Sequence, residues 1–150
     1  MSSKEKIIIY TDGGSRGNPG PAGVGVVIAN TQNQIIKKYS KFLGVKTNNE
    51  AEYEAVILAL EKAKHFFGKD KAKKTDIEFR MDSELVARQL RGEYRLKEEK
   101  LFPLFIKIWN LKVDFGETSF MEIPREKNKE ADALANEAMD SEKQKQQQMF

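Results

Sequence analysis

Apolar residues follow two rhythms along this chain, and each change of rhythm marks a new element. Residues 6–12, KIIIYTD, gather β-branched side chains into a short run that stops at a glycine-rich segment from Gly13 to Gly23, predicting a buried strand and then a turn. Residues 22–30, AGVGVVIAN, and 34–43, QIIKKYSKFL, flank a turn at Asn30–Asn33 and predict a hairpin. From Asn48 the apolar period lengthens to that of a helix. Tyr53, Val56, Ile57, Leu60, Ala63 and Phe67 share one side of it, and Gly68 ends it. Thr47 and Glu50 are spaced as a capping box at its start.

Residues 69–74 read as a polar linker, 75–82 (TDIEFRMD) as a fourth strand, and 83–91 as a short helix broken by Gly92. After the polar stretch 93–100, a second amphipathic helix places Leu104, Phe105, Ile108, Trp109 and Leu111 on an apolar face, all expected in the core. Residues 117–124, ETSFMEIP, suit a fifth strand. Residues 128–141 form an alanine-rich helix with Ala131, Leu134, Ala135, Ala138 and Met139 on one side. The order βββαβααβα predicts an α/β fold, a five-stranded mixed sheet flanked by helices, with the first three strands antiparallel and the later ones joined by helical crossovers. One domain is expected over 1–141, and the Gln- and Lys-rich residues 142–150 are expected to be a disordered tail.

Composition narrows the chemistry. A chain of 150 residues, 39% hydrophobic, can bury one core and not two. Its 26 basic and 23 acidic residues leave a net charge of only +3, yet lysines cluster at 62–74 and 37–46. Such runs suit either a phosphate-tracking surface or a solubilising face. Cysteine is absent, which excludes disulfides, thiol catalysis and thiolate metal sites. Any metal is therefore expected to be held by oxygen. No stretch is long and apolar enough for a signal peptide or membrane helix, so a cytoplasmic protein is expected.

Four acids stand at element boundaries: Asp12 ends the first strand, Asp82 closes the fourth, Glu52 lies near the start of the first helix, and Asp132 near the start of the last. Parallel neighbouring strands would bring Asp12 and Asp82 to one carboxyl edge, where ligands of open α/β sheets bind. Singly, Glu52 and Asp132 could do no more than complement a helix dipole. Four carboxylates on one rim need a counter-charge, which points to Mg²⁺ or Mn²⁺ and to phosphodiester chemistry with paired ions. The segment DGGSRGNPGPAG would let backbone approach a nucleic acid closely, and Asn18, Asn48 and Asn49 could bond sugar hydroxyls or base edges. Alternative roles are a turn for Asn18 and helix capping for the pair.

The strings YTDGGSRGNPGPAGVGVVI, TNNEAEYEAVILAL, MDSELVARQL and NKEADALANEA resemble, in order and spacing, the four motif blocks of type 1 ribonuclease H, and span Lys6 to Met139. The resemblance implies the ribonuclease H-like fold, with Asp12, Glu52, Asp82 and Asp132 as catalytic, metal-binding acids. It implies two Mg²⁺ ions, with Mn²⁺ as an alternative: Asp12 bridges them, one activates a water, and the other stabilises the leaving 3′ oxygen. The RNA strand of an RNA/DNA hybrid would be hydrolysed to 5′-phosphate and 3′-hydroxyl ends. Gly13, Ser15, Asn18, Thr47, Asn48 and Asn49 would contact substrate, Thr47 at a DNA phosphate. Double-stranded RNA is a further candidate substrate, and the resemblance implies the family's usual monomer.

Three positions depart from the family pattern. The loop PREKNKEAD lacks the histidine that many bacterial members carry, leaving Arg125, Glu126 or Lys127 as stand-ins, while the one histidine, His65, is expected on a helix surface without a catalytic role. Residues 92–100 are too few for a basic protrusion, so binding is expected to be weaker and more salt-sensitive. Glu84 stands where glutamine is usual. With neither a hybrid-binding nor a polymerase domain in the sequence, a free-standing enzyme is expected. The alternatives are a resolvase or exonuclease on the same scaffold, or a binding module for hybrid or double-stranded RNA that has lost turnover.

Overall fold

The computed structural model describes residues 5–148. Five strands and five α-helices follow along the described residues: β1 (Glu5–Ser15), β2 (Gly20–Ala29), β3 (Ile35–Lys46), α1 (Asn48–Phe67), α2 (Lys69–Lys73), β4 (Thr75–Met81), α3 (Glu84–Leu90), α4 (Phe102–Lys112), β5 (Thr118–Glu122) and α5 (Lys129–Gln148). The strands form one sheet in the order β3-β2-β1-β4-β5. β1 is central, antiparallel to β2 and parallel to β4, and β4 is parallel to β5. This is the mixed five-stranded sheet expected from the sequence.

Alternation along the strands sorts their side chains between two faces. Ile7 and Ile9 of β1 join Val24, Val26 and Ile28 of β2 and the apolar side of α1 in the main core. Residues one step out of phase face α5. There, a Cβ on Gly25 would overlap the Ala131 carbonyl and lie 2.8 Å from the Leu134 Cβ, so a bare glycine brings α5 down onto β2. The capping box of α1 forms as predicted: Thr47 Oγ1 accepts from the Glu50 amide at 3.1 Å, and the Thr47 amide donates to Glu50 Oε1 at 3.0 Å.

Four expectations are corrected. β1 does not stop at Asp12 but runs to Ser15, because Gly13 and Gly14 keep pairing with β2. Residues 69–73 make a short helix with Ala72 buried against the core, not a linker. On α4 only Ile108 is buried; Trp109 is 44% exposed, stacked on Phe105 at 5.9 Å, with Lys112 Nζ 3.5 Å from its ring centre. α4 packs chiefly on α1, so its outer turns have no second layer to enter. Residues 142–148, expected as a disordered tail, continue α5, since this lysine-, glutamate- and glutamine-rich stretch carries good helix formers and no breaker. Met149 and Phe150, the rest of that expected tail, lie outside the described residues.

Candidate active site

β1 and β4 are paired in register from Glu5 and Thr75 up to Tyr10 and Arg80. Past that point each strand carries its acid, Asp12 or Asp82, at the carboxyl edge of the sheet. α1 enters the same edge because Gly13 presents no side chain: a Cβ there would overlap the Ala51 carbonyl and lie 2.7 Å from the Glu52 nitrogen. Glu52 is thus set against β1, with the Gly13 backbone amide stabilising its charged form. Asp12, Glu52 and Asp82 each offer a carboxylate oxygen, and the three oxygens lie within 4.8 Å of one another. Asp132, in the first turn of α5, stands close enough to Asp12 to help raise its carboxyl. All four predicted acids therefore meet, three as a tight triad and Asp132 at its side.

The electrostatics of this cluster are unfavourable in the bare protein. Burial, then the charges of Asp82 and Asp132, push Asp12 up to about 8. Burial also raises Glu52, reinforced by Asp12 and Asp82, and raises Asp82. Glu52 Oε2 is buried without a hydrogen-bond partner. A buried, unpaired carboxylate oxygen among other carboxylates is a strongly uncompensated arrangement, which a hard divalent cation on these oxygen donors would relieve. The residues present fit such an ion.

Arg125, in a 3₁₀ turn at Arg125–Lys127, supplies a protein counter-charge: it favours the ionised forms of Asp12, Glu52 and Asp82. Glu126 and Lys127 instead line a cavity of about 240 Å³ beside Tyr10 and Ile35. The structure thus separates three loop residues that the sequence left equivalent. Glu84 is paired with Arg88 at 3.0 Å across one turn of α3. His65 is exposed on α1.

The residues expected to contact substrate knit the β1–β2 loop to the start of α1. Ser15 donates through its amide (2.9 Å) and hydroxyl (3.0 Å) to Asn48 Oδ1, and the Asn48 amide donates to Asn18 Oδ1 at 3.0 Å. Asn49 Nδ2 donates to Glu98 Oε1 at 2.9 Å, reaching the loop before α4. The capping role considered for Asn48 and Asn49 belongs to Thr47, whose hydroxyl is occupied by the cap. Sequence reasoning missed Asn128. Its polar side chain just ahead of a helix reads as an ordinary cap, yet it is 1% exposed and donates through Nδ2 to the Thr11 carbonyl at 2.9 Å.

Comparison with known proteins agrees with this geometry. Residues 10–138 match the family model described as reverse transcriptase-like. A ribonuclease H1 isolated from compost by a metagenomic approach superimposes with a TM-score of 0.85 at 51% identity, over 91% of this chain and 97% of that one. The same compost enzyme has been solved in complex with RNA/DNA hybrid. Ribonuclease H1 from the archaeon Halobacterium salinarum superimposes with a TM-score of 0.82 at 43% identity, over 91% of this chain and 98% of the solved one. This chain spans 65% of the full Halobacterium ribonuclease HI and 36% of a bifunctional protein of Mycobacterium tuberculosis, which it matches at 39% identity over 91% of its own length. Sheet order and acidic rim together define a ribonuclease H-like protein. The chain belongs to the type 1 ribonuclease H family, whose members depend on divalent metal.

Proposed function

We propose that this protein is a metal-dependent endoribonuclease that hydrolyses the RNA strand of RNA/DNA hybrids, leaving 5′-phosphate and 3′-hydroxyl ends. The observation that carries this reading is the triad of Asp12, Glu52 and Asp82 oxygens within 4.8 Å at the β1/β4 edge, with Asp132 beside it. Asp12, Glu52, Asp82 and Asp132 would hold two Mg²⁺ ions, with Mn²⁺ as an alternative. Bound there, the metals supply an activated water and charge stabilisation at the attacking and leaving oxygens.

The chain's own residues bind and orient. Arg125 offsets part of the acidic charge that an incoming phosphodiester would meet, and among Arg125, Glu126 and Lys127 it is the one assigned to stand in for the family's loop histidine. Ser15, Asn18 and Asn48 form a pre-set surface, so substrate binding need not order them. Gly13 and Asn49 flank that surface, and Thr47 contributes through backbone geometry, its hydroxyl being held in the cap. Recognition of RNA at this surface would rest on 2′-hydroxyls, which DNA lacks. A solved relative binds RNA/DNA hybrid, which supports the same ligand here.

We also propose that the protein is a cytoplasmic monomer. The binding-module alternative is less well supported because the four acids are all in place. The discriminating experiment offers end-labelled RNA/DNA hybrid, double-stranded RNA and double-stranded DNA of one sequence, with Mg²⁺, Mn²⁺ or EDTA. Metal-dependent cutting of the RNA strand of the hybrid supports the proposal, and the double-stranded RNA lane sets its breadth. Tight hybrid binding without cutting in either metal overturns it in favour of the binding module.

A further inference from the structure

The β1–β4 ladder ends at Tyr10 and Arg80, so no register pair fixes the separation of the two strands where they carry Asp12 and Asp82. One side chain spans that gap. Asn128, at the start of α5, donates through Nδ2 to the carbonyl of Thr11, next to Asp12, and the same amide stabilises the Asp82 carboxylate. Its backbone carbonyl accepts from the amide of Asp132 at 3.1 Å. A single residue, 1% exposed, therefore bonds the segments that carry Asp12 and Asp132 and favours the charge of Asp82.

The orientation of this amide is chemically fixed. The Thr11 carbonyl can only accept, so the NH₂ group must face it, and the same end of the amide favours the charged form of Asp82. The other end, Oδ1, is buried with no partner. A residue that served only to cap α5 would point this oxygen at the helix amides, and here it makes no such bond. The side chain is held by what its nitrogen touches, not by a cap.

We propose that Asn128 is a positioning residue, a crossbar over the unpaired ends of β1 and β4 that sets the spacing of Asp12, Asp82 and Asp132 for metal. This rests on the metal site proposed above. The effect reaches the reaction through the acids, since Asn128 itself needs no contact with substrate.

The test compares wild type with Asn128→Ala and Asn128→Ser. Serine is a good helix cap but has one hydroxyl hydrogen in place of two amide hydrogens, so it restores a cap without restoring the crossbar. Mn²⁺ affinity is measured by titration calorimetry, thermal melting in EDTA, and kcat and KM on hybrid. The crossbar predicts that both variants bind Mn²⁺ about 10-fold or more weakly and lose about 10- to 100-fold in kcat, with KM for hybrid near wild type. Asn128→Ser should do so while melting close to wild type. Wild-type Mn²⁺ affinity and kcat in Asn128→Ser would overturn the inference and leave a cap as the role. Wild type that binds no Mn²⁺ would overturn the metal site and the crossbar together, whereas wild type that binds Mn²⁺ and a serine variant that does not would support the crossbar even if the substrate proved different.

Discussion

Gly13 on β1 and Ala51 on α1 are in backbone-to-backbone contact so close that any Cβ on the glycine would overlap the Ala51 carbonyl. This contact delivers Glu52 to Asp12. A Gly13→Ala substitution must push α1 away from β1, and we expect a loss of about 1–3 kcal/mol in stability from overpacking. Turnover should fall by about 100-fold, a larger effect than the stability loss implies for a protein still folded at the assay temperature. Urea melts and steady-state kinetics on the same preparation check it; an alanine variant with wild-type turnover would show that the contact does not govern the site.

The acids oppose folding when no metal is bound. Glu52 is buried with an unpaired oxygen, so replacing it with the neutral, isosteric glutamine removes a charge that the fold does not solvate. Glu52→Gln is expected to abolish cleavage yet melt above wild type in EDTA, by about 1–2 kcal/mol. With saturating Mg²⁺ the order should reverse, because only wild type gains from the bound ion. Calorimetric melts with and without metal decide the matter.

The pH dependence of the metal-free protein has a defined sign. Asp12 is raised to about 8 in the folded state, and Glu52 and Asp82 are raised as well. The folded protein therefore holds protons that the unfolded chain releases, so the contribution of these three acids to stability is most favourable below the ordinary carboxylate range and declines as pH rises toward about 8. Melting in EDTA at about pH 5.5 and pH 8 should show the lower stability at the higher pH, and Asp12→Asn should flatten much of the difference. A wild-type curve rising over this interval would contradict the electrostatic description of the cluster.

Glu78, a buried residue of β4, behaves oppositely. Burial by itself would raise it, but hydrogen bonds from Lys6 (3.0 Å) and Arg80 (2.7 Å) outweigh burial and hold the carboxyl below its usual range. A lowered folded-state value means stability that is present above the unfolded value and lost as pH falls through the folded one. Glu78→Gln should cost about 1 kcal/mol near neutrality, a modest figure because Lys6 is half exposed, and the gap from wild type should close in acid. Urea melts at the two pH values test it.

Much of this was legible in the sequence, and the reasons differ by residue. Asp12 and Asp82 close β-branched or alternating runs, so their shared edge follows once the strands are taken as parallel neighbours. The α1 cap followed from the Thr47 and Glu50 spacing. Trp109 was misplaced because helical periodicity shows which side is apolar but not whether a second layer covers it. Arg125 could not be separated from Glu126 and Lys127, since a short 3₁₀ turn has no periodicity to orient them. Asn128 was hidden for another reason: its partners, Thr11 and Asp82, lie far off in sequence and meet it only after α5 docks.

The most direct measurement is hybrid cleavage and hybrid binding by wild type and Asp12→Asn, side by side in Mg²⁺, with the RNA strand end-labelled. Metal-dependent cutting of the RNA strand by wild type is expected, with no cutting by Asp12→Asn, although the variant still binds hybrid, because Ser15, Asn18, Asn48 and Asn49 are untouched. Cutting by Asp12→Asn at the wild-type rate would place the chemistry away from the Asp12, Glu52 and Asp82 triad.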